Sequence, residues 1–491
     1  TVLIENNSIV DAAGDAIGVS DATSVAIVGN DIAGVSAGNG VTVDGVSGAA
    51  TIVGNDILDV SGTGIDVRDV AGGLYIGVQS GSAAGNTVNN SGGDGIRVEL
   101  TANSAGNVSV WYNRMGNSGT IGGDGIEILR SGVGAYGGDI LVLDNIIDRT
   151  TNSGIYVHDF ASTGSLNVSG NTIAGGGVGG VGGSGVLVAD MRLDRIYLDD
   201  NTVGTGSAVT GSGIAIDSST VTNAASTIAV GGYTVGNAAQ IEGSVLGTNI
   251  LGSGIAVTGL TGNLLVNDNA VTGPGASGVR VQTVTGSVAV LENTVVMAGP
   301  QRAIDIAGVT AGTTVAANTI SGNSDHAIAV AGSTGGLLIQ DNIATYSVFI
   351  QSVAGGITID GNTLATGGGY AIHTEGNNNG NLTITDNSVR GYNGNGIDVI
   401  GTTGGDLLVQ GNAVGTINNG SHGIAIGGVT GDIEVLDNRV GAIGGGIAGT
   451  GISINATGSA GTLVQGNIVS NVLRTGIDVV GGSLATVSGN T

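Results

Sequence analysis

The chain has 491 residues, of which 98 are glycine, 12 are aromatic, none is cysteine or lysine, and the formal charge is −26. This excludes a collagen, a disulfide scaffold and a thiolate metal site; with 41% hydrophobic and only 10% charged residues it also excludes a polar disordered chain. Without phosphate-neutralising cations no nucleic-acid partner is expected, and anionic membranes are disfavoured; cations are the expected small partners, calcium first, and no cofactor is implied.

Thr1-Val2-Leu3-Ile4 reads as a strand, not as the basic start of a leader, so the chain is expected to begin inside a mature protein. From there one pattern recurs: apolar, any, apolar, two polar or small residues, Asn, any, apolar. It is clearest in Leu264-Leu265-Val266-Asn267-Asp268-Asn269-Ala270-Val271 and in Leu407-Leu408-Val409-Gln410-Gly411-Asn412-Ala413-Val414. In chain order its asparagine is Asn7, Asn30, Asn55, Asn86, Asn113, Asn145, Asn171 and Asn201, then Asn269, Asn293, Asn318, Asn342, Asn362, Asn387, Asn412, Asn438, Asn467 and Asn490. Between Asn201 and Asn269 the register gives the place to Tyr233, making 19 copies over 483 residues. A second motif lies between these positions: a small residue, then apolar, any, apolar, as in Gly64-Ile65-Asp66-Val67 and Gly396-Ile397-Asp398-Val399. It has 18 copies, with Gly in 13, Ala at Ala16, Ala303, Ala327 and Ala371, and serine at Ser347.

Both motifs alternate apolar with other residues over short β-branched stretches, which is the strand period. Length alone would predict about three domains, but the repeat makes residues 1–491 one continuous array. Strands recurring without helices between them cannot form a sheet with helical crossovers; they can form a coil in which each turn stacks on the last. The Asn-x-apolar turn followed by Gly-Ile-x-Val resembles the right-handed parallel β-helix repeats of pectate-lyase-like proteins and bacterial adhesin passengers, over essentially the whole chain. The resemblance implies an all-β solenoid of about 19 coils with few or no helices, a rod roughly 90 Å long at ~4.8 Å per coil. It implies little about function, since lyases, epimerases, tailspikes and adhesins share the fold.

In such a coil the inward Ile, Val and Leu stack on like residues, each contributing roughly 1.5–3 kcal/mol of burial before entropy is charged. The repeated Asn should form a ladder of side-chain amides inside a turn. The glycine before each Ile fits a corner where a side chain would clash or a positive φ is needed. The chain stops at Ser488-Gly489-Asn490-Thr491, inside a repeat, and neither end shows a cap; an excerpt of a longer protein is expected.

The outward residue of the second motif forms a column: Gly18, Thr42, Asp66, Arg97, Glu127, Tyr156, Leu187, Ala215, Ala256, Arg280, Asp305, Ala329, Phe349, His373, Asp398, Ala425, Ser453 and Asp478. Asp66, Arg97 and Glu127 alternate in sign, as do Arg68 and Glu99, which favours a stabilising charge ladder over a catalytic patch. His373, Glu375 and Asp398 are the best enzyme-like constellation, with His373 and Asp398 one coil apart; an exposed histidine beside acids is the favoured reading. His326 and His422 share a register but lie four coils apart, roughly 19 Å, too far for a common metal, and His158 stands alone. Lyases of the resembled fold use clustered acids with calcium and a basic proton acceptor; here no two carboxylates of the column are adjacent and lysine is absent. Asp194, Asp199 and Asp200 read as a solvated acidic cluster before a calcium site. Trp111, Tyr112, Arg114 and Met115 read as local core before a sugar-stacking surface. The longer repeats between Asn55 and Asn269 leave room for loops such as residues 175–183, the expected contact surface. Asn107 and Asn167 match the glycosylation pattern, which an asparagine-rich chain meets easily.

The expected function is therefore a structural or adhesive protein of a bacterial or archaeal cell surface, a self-associating rod without enzymatic activity. Its expected partners are its own copies, other surface proteins or cell-surface polysaccharide, without nucleic acid or a transmembrane segment, since no apolar run reaches 18 residues. A carbohydrate-active enzyme or polysaccharide-binding β-helix is the alternative, favoured by a groove along the outward column. An ice- or mineral-binding rod would need a regular threonine array, and the column is too mixed for one.

Overall fold

The structure is a computed structural model that describes residues 1–78, 85–134, 136–174, 179–222, 227–230, 233–236, 238–376, 378–401, 404–441, 446–482 and 484–491. It contains two compact units, one of Thr1–Ile228 with Thr234–Ala276, the other of Ala229–Tyr233 with Ser277–Thr491. Each is a parallel β-helix with no helix among its described residues. In the first unit the strands Val2–Glu5, Ser8–Val10 and Ile17–Ser20 make one coil. Each pairs in parallel with its counterpart one coil on: Val2 with Val25, Ile9 with Ile32, Val19 with Val43. In the second unit Ile357–Asp360, Thr363–Gly367 and Ile372–Glu375 stack in the same way on Leu382–Thr385, Ser388–Tyr392 and Ile397–Val399.

Alternation sets the core. In Ile357–Asp360 the residues Ile357 and Ile359 are buried and their neighbours are half-buried, as the period-two pleat requires. Stacked Ile27 and Ile52, or Ile359 and Ile384, are fully buried and face their own kind one coil away. Apolar removal from water is the main favourable term in both units.

The repeated asparagine joins the first strand of a coil to the second. In the second unit Asn387 Nδ2 donates to Asn412 Oδ1 (3.0 Å), to Thr385 O (2.8 Å) and to Ile359 O (2.9 Å). Its Oδ1 accepts from both the backbone N–H and the Nδ2 of Asn362, each at 3.0 Å. In the first unit Asn30 and Asn55 repeat the arrangement. The place assigned to Tyr233 belongs instead to Ser244. Ser244 Oγ accepts from Asn201 N–H at 3.2 Å, and the Ser244 N–H donates to Asn269 Oδ1 at 3.0 Å. Ile241-Glu242-Gly243-Ser244-Val245-Leu246 fits the pattern once serine is allowed for asparagine; the side chain of Tyr233 lies outside the described residues.

The residue before nearly every rung turns the chain through the left-handed region, as at Asp144, Gly170, Asp200, Gly243 and Asp268 in the first unit and Asp341, Gly361, Asp386, Gly411 and Asp437 in the second. Only Gly, Asn and Asp enter that region readily. From Asp341 to Gly466 aspartate and glycine alternate at this position, and close contact favours glycine there: a Cβ on Gly411 would lie 2.2 Å from Asp386 Oδ1, and one on Gly466 2.2 Å from Asp437 Oδ1. The alternation also keeps these carboxylates two coils apart, about 9–10 Å, near the distance at which salt screens them.

The corner glycine of the second motif is explained by contact. Its φ is not positive; a Cβ on Gly125 would meet Ile147 Cγ2 at 2.5 Å and Gly154 O at 2.6 Å, and one on Gly64 would meet Val88 Cγ1 at 2.4 Å. Gly125→Ala should therefore destabilise the first unit by about 1–3 kcal/mol, the cost of overpacking a close-packed interior. The same change at Gly18, with nothing within 4 Å, should shift the guanidinium unfolding midpoint little.

Candidate functional site

The outward column stands in register. Asp66, Arg97, Glu127, Tyr156 and Leu187 are successive partners in the first unit, and Ala329, Phe349, His373, Asp398 and Ala425 in the second. In the first unit it carries an ion network. Arg97 reaches Asp66 (3.3 Å), Glu99 (2.9 Å) and Glu127 (3.0 Å), and Arg68 reaches Glu99 (2.5 Å). His158, read as solitary, contacts Glu127 at 3.2 Å and Asp159 at 2.7 Å and stacks on Tyr156. The His158 bond, against burial, holds Glu127 below the usual carboxylate range. Asp124, outside the cations' reach, is pushed up to about 6 by burial and then by the charges of Asp94 and Glu127, against a bond from the Ser153 N–H.

The remaining first-unit candidates scatter. Asp199 faces Glu242 on the next coil, and burial, with the charges of Glu242 and Asp200, pushes it up to about 7. Asp194 instead accepts from Thr222 Oγ1 at 3.0 Å. Among the described residues no three histidines or carboxylates converge as a metal site would require. Trp111 and Met115 are buried while Tyr112 is 46% exposed; Trp111 lines a cavity of about 380 Å³ with Tyr75 and Ser109. Residues 175–178 lie outside the described residues. Asn107 Oδ1 accepts from Asp139 N–H at 3.0 Å, one step of a further side-chain ladder that continues to Ser165.

The second unit gathers chemistry in one place. His373 is 7% exposed, and its Nδ1 lies 2.7 Å from Asp398 Oδ2 and its Nε2 3.3 Å from Glu375 Oε2. Asn395 Nδ2 holds the other oxygen of Asp398 at 2.6 Å. Burial pulls the His373 pKa down, but the bonds and charges of Asp398 and Glu375 outweigh it and hold the ring above the ordinary imidazole value. Four rings stack nearly parallel: Tyr370 on His373 (4.5 Å), His373 on Phe349 (5.6 Å) and Phe349 on His326 (4.8 Å), with interplanar angles of 12–17°. Beside them opens a groove of about 500 Å³, walled also by Tyr346, Ser347, Tyr392 and the run Gly367, Gly368 and Gly369. Gly367 leaves room for Tyr392, whose ring would lie 2.3 Å from a Cβ there. His326 belongs to this groove; His422 does not, since its Nδ1 accepts the Thr450 N–H at 3.2 Å, a ladder bond.

Comparison with known proteins agrees with this architecture: residues 184–344 match the family model of the right-handed beta helix region. The chain is a right-handed parallel β-helix repeat protein. Among solved structures, this β-helix is 10% identical to a PL6-family alginate lyase, AlyGC, with a TM-score of 0.26, covering 100% of this chain and 96% of that one. A search of curated proteins gives no sequence match.

The aromatic groove was only partly anticipated. His373, Glu375 and Asp398 stood out because they are chemically conspicuous, whereas Tyr346 and Tyr370 lie just before the second motif, where the pattern imposes nothing. The available signal was the run His326, Tyr346, Tyr370 at that one place in three successive repeats.

Proposed function

We propose that this β-helix is an extracellular adhesive surface protein that binds neutral glycan in the groove of its second unit. The observation that carries the reading is the groove itself: about 500 Å³, with Phe349, Tyr346 and Tyr370 beside His373 and Asp325. Ring edges and faces pack against sugar C–H groups, and a few placed polar groups fix orientation. The groove has no arginine in its lining, the chain has no lysine, and its charge is −26. A polyuronate would meet repulsion there, since recognition of carboxylates calls for guanidinium or ammonium donors.

Affinity electrophoresis through gels containing neutral polysaccharides (glucan, mannan, xylan) or polyuronate tests this. Retardation by a neutral polymer is expected, weakened at least tenfold in Phe349→Ala and Tyr370→Ala. Migration unchanged by every neutral polymer, or equal retention of the variants, would overturn the reading.

A further inference from the structure

The groove also holds a hydroxyl that the repeat does not ask for. Ser347 fills the corner position that is glycine or alanine in the other copies of its motif. Its Oγ lies 2.7 Å from Nδ1 of His326, and Nε2 of the same ring lies 3.5 Å from Asp325 Oδ2. All three residues line the groove. The residue before the serine, Tyr346, has φ +79°, a conformation that a residue with a bulky side chain keeps only under restraint and that clusters at functional sites. The restraint is visible: Tyr392 Oη donates to Tyr346 O at 2.8 Å, and the Tyr346 N–H donates to Thr366 O at 3.2 Å. A hydroxyl, a base and a group that orients the base thus meet at the wall of an open groove, presented by a strained turn.

We propose that Ser347 and His326, positioned by Asp325, form an acyl-transfer site that hydrolyses ester groups carried by a saccharide in the groove. The saccharide rests on the glycan reading above; activation of the serine does not. The Asp325 carboxylate, 3.5 Å from Nε2, favours the proton on Nε2 by its charge, and that tautomer turns the free lone pair of Nδ1 toward Ser347. Burial, reinforced by Arg302 and His373 against the pull of Asp325, holds His326 below the ordinary imidazole value, so the neutral base form prevails at pH 7. In the first half-reaction the Oγ–H proton passes to Nδ1 while Oγ attacks the ester carbonyl carbon. The carbonyl carbon to alkoxy oxygen bond breaks, and the departing alcohol takes the proton from Nδ1. In the second, water attacks the acyl-serine, gives its proton to Nδ1, and Oγ leaves with that proton as the free acid departs. Asp325 touches no reacting atom; it is a positioning residue.

The experiment uses the whole chain with p-nitrophenyl acetate and a fluorophosphonate probe. Hydrolysis is expected to fall at least tenfold in Ser347→Gly and in His326→Gln, with a phosphonyl adduct at Ser347 by mass spectrometry that both variants lack. Ser347→Gly restores the residue the repeat normally uses, so its thermal midpoint should match the parent and loss of folding cannot explain loss of rate. Asp325→Asn should lower kcat and move the acid limb of the pH profile to lower pH, since the ring loses a stabilising negative charge; a merely structural Asp325 would leave that limb in place. No adduct at Ser347, or an unchanged rate in Ser347→Gly, overturns the proposal. Glycan retention without ester hydrolysis overturns the acyl-transfer site and leaves the binding reading standing. Ester hydrolysis through Ser347 without glycan retention supports the serine chemistry and removes its saccharide.

Discussion

Asn387→Ala is expected to lower the stability of the second unit by about 3–5 kcal/mol, because it orphans several buried groups at once and each costs about 1–3 kcal/mol. The Asn362 N–H and Nδ2 lose a common acceptor, and Asn412 Oδ1 and the carbonyl of Ile359 each lose a donor. The side chain is fully buried, so water cannot take its place. Asn387→Ser should cost clearly less. Serine already serves as a rung at Ser244, where one oxygen still accepts the neighbouring N–H. Guanidinium unfolding of the two variants checks the order, and amide exchange should show lost protection concentrated on the coils either side of residue 387. Equal midpoints for Ala and Ser would mean that the rung acts through its shape and not its hydrogen bonds.

The second large effect is on pH dependence. Asp124 and Asp199 are pushed up to about 6 and about 7 by burial and neighbouring acids. A carboxyl raised in the folded state contributes stability that is present in full below its unfolded value near 4 and is lost as pH rises through the folded value. His373, also raised, acts in the same direction at higher pH: its contribution is complete below about 6.5 and disappears as pH climbs through the folded value. Glu99 and Glu127 act oppositely. Both are held low, by hydrogen bonds from Ser131, Arg97 and Arg68 that outweigh burial and by the His158 bond respectively, so their contribution is lost only in acid. Stability should therefore peak at mildly acidic pH and decline toward pH 8. Asp124→Asn keeps an acceptor for the Ser153 N–H and removes the charge. With Asp199→Asn it should stabilise the first unit at pH 8 by about 1–3 kcal/mol per site, allowing for partial solvent screening, and flatten the decline. Unfolding midpoints between pH 4 and 8 decide this; a midpoint that rises steadily toward pH 8 would contradict it.

The strand positions and register were legible because a coil enforces one period on every repeat: Asp66, Arg97 and Glu127 could be aligned by counting, and the structure pairs the same residues. Ser244 was hidden behind Tyr233 because an even spacing of repeats points to Tyr233, whereas the geometry demands only an acceptor beside a turn, which a serine hydroxyl supplies. The acid and glycine alternation went unseen because it belongs to pairs of coils, not to one. The groove was half legible. His373, Glu375 and Asp398 announced themselves by chemistry, while Tyr346, Tyr392 and Ser347 acquire meaning only when three coils are superposed and a strained φ is measured.

The ladder fixes the phase of each coil but not its length: successive rungs are 20 residues apart from Asn342 to Asn362 and 43 apart from Asn201 to Ser244. A gene encoding such a chain is therefore unusually forgiving of insertion and deletion. A codon gained within Ile357–Asp360 turns every later side chain of that strand to the wrong face, but a dozen gained in the connection beyond it only lengthen a surface loop, at a closure cost that grows slowly with length. Lineages of this protein should accordingly diverge first in the size of their loops, and new binding surfaces should arise by lengthening a connection instead of rebuilding a core.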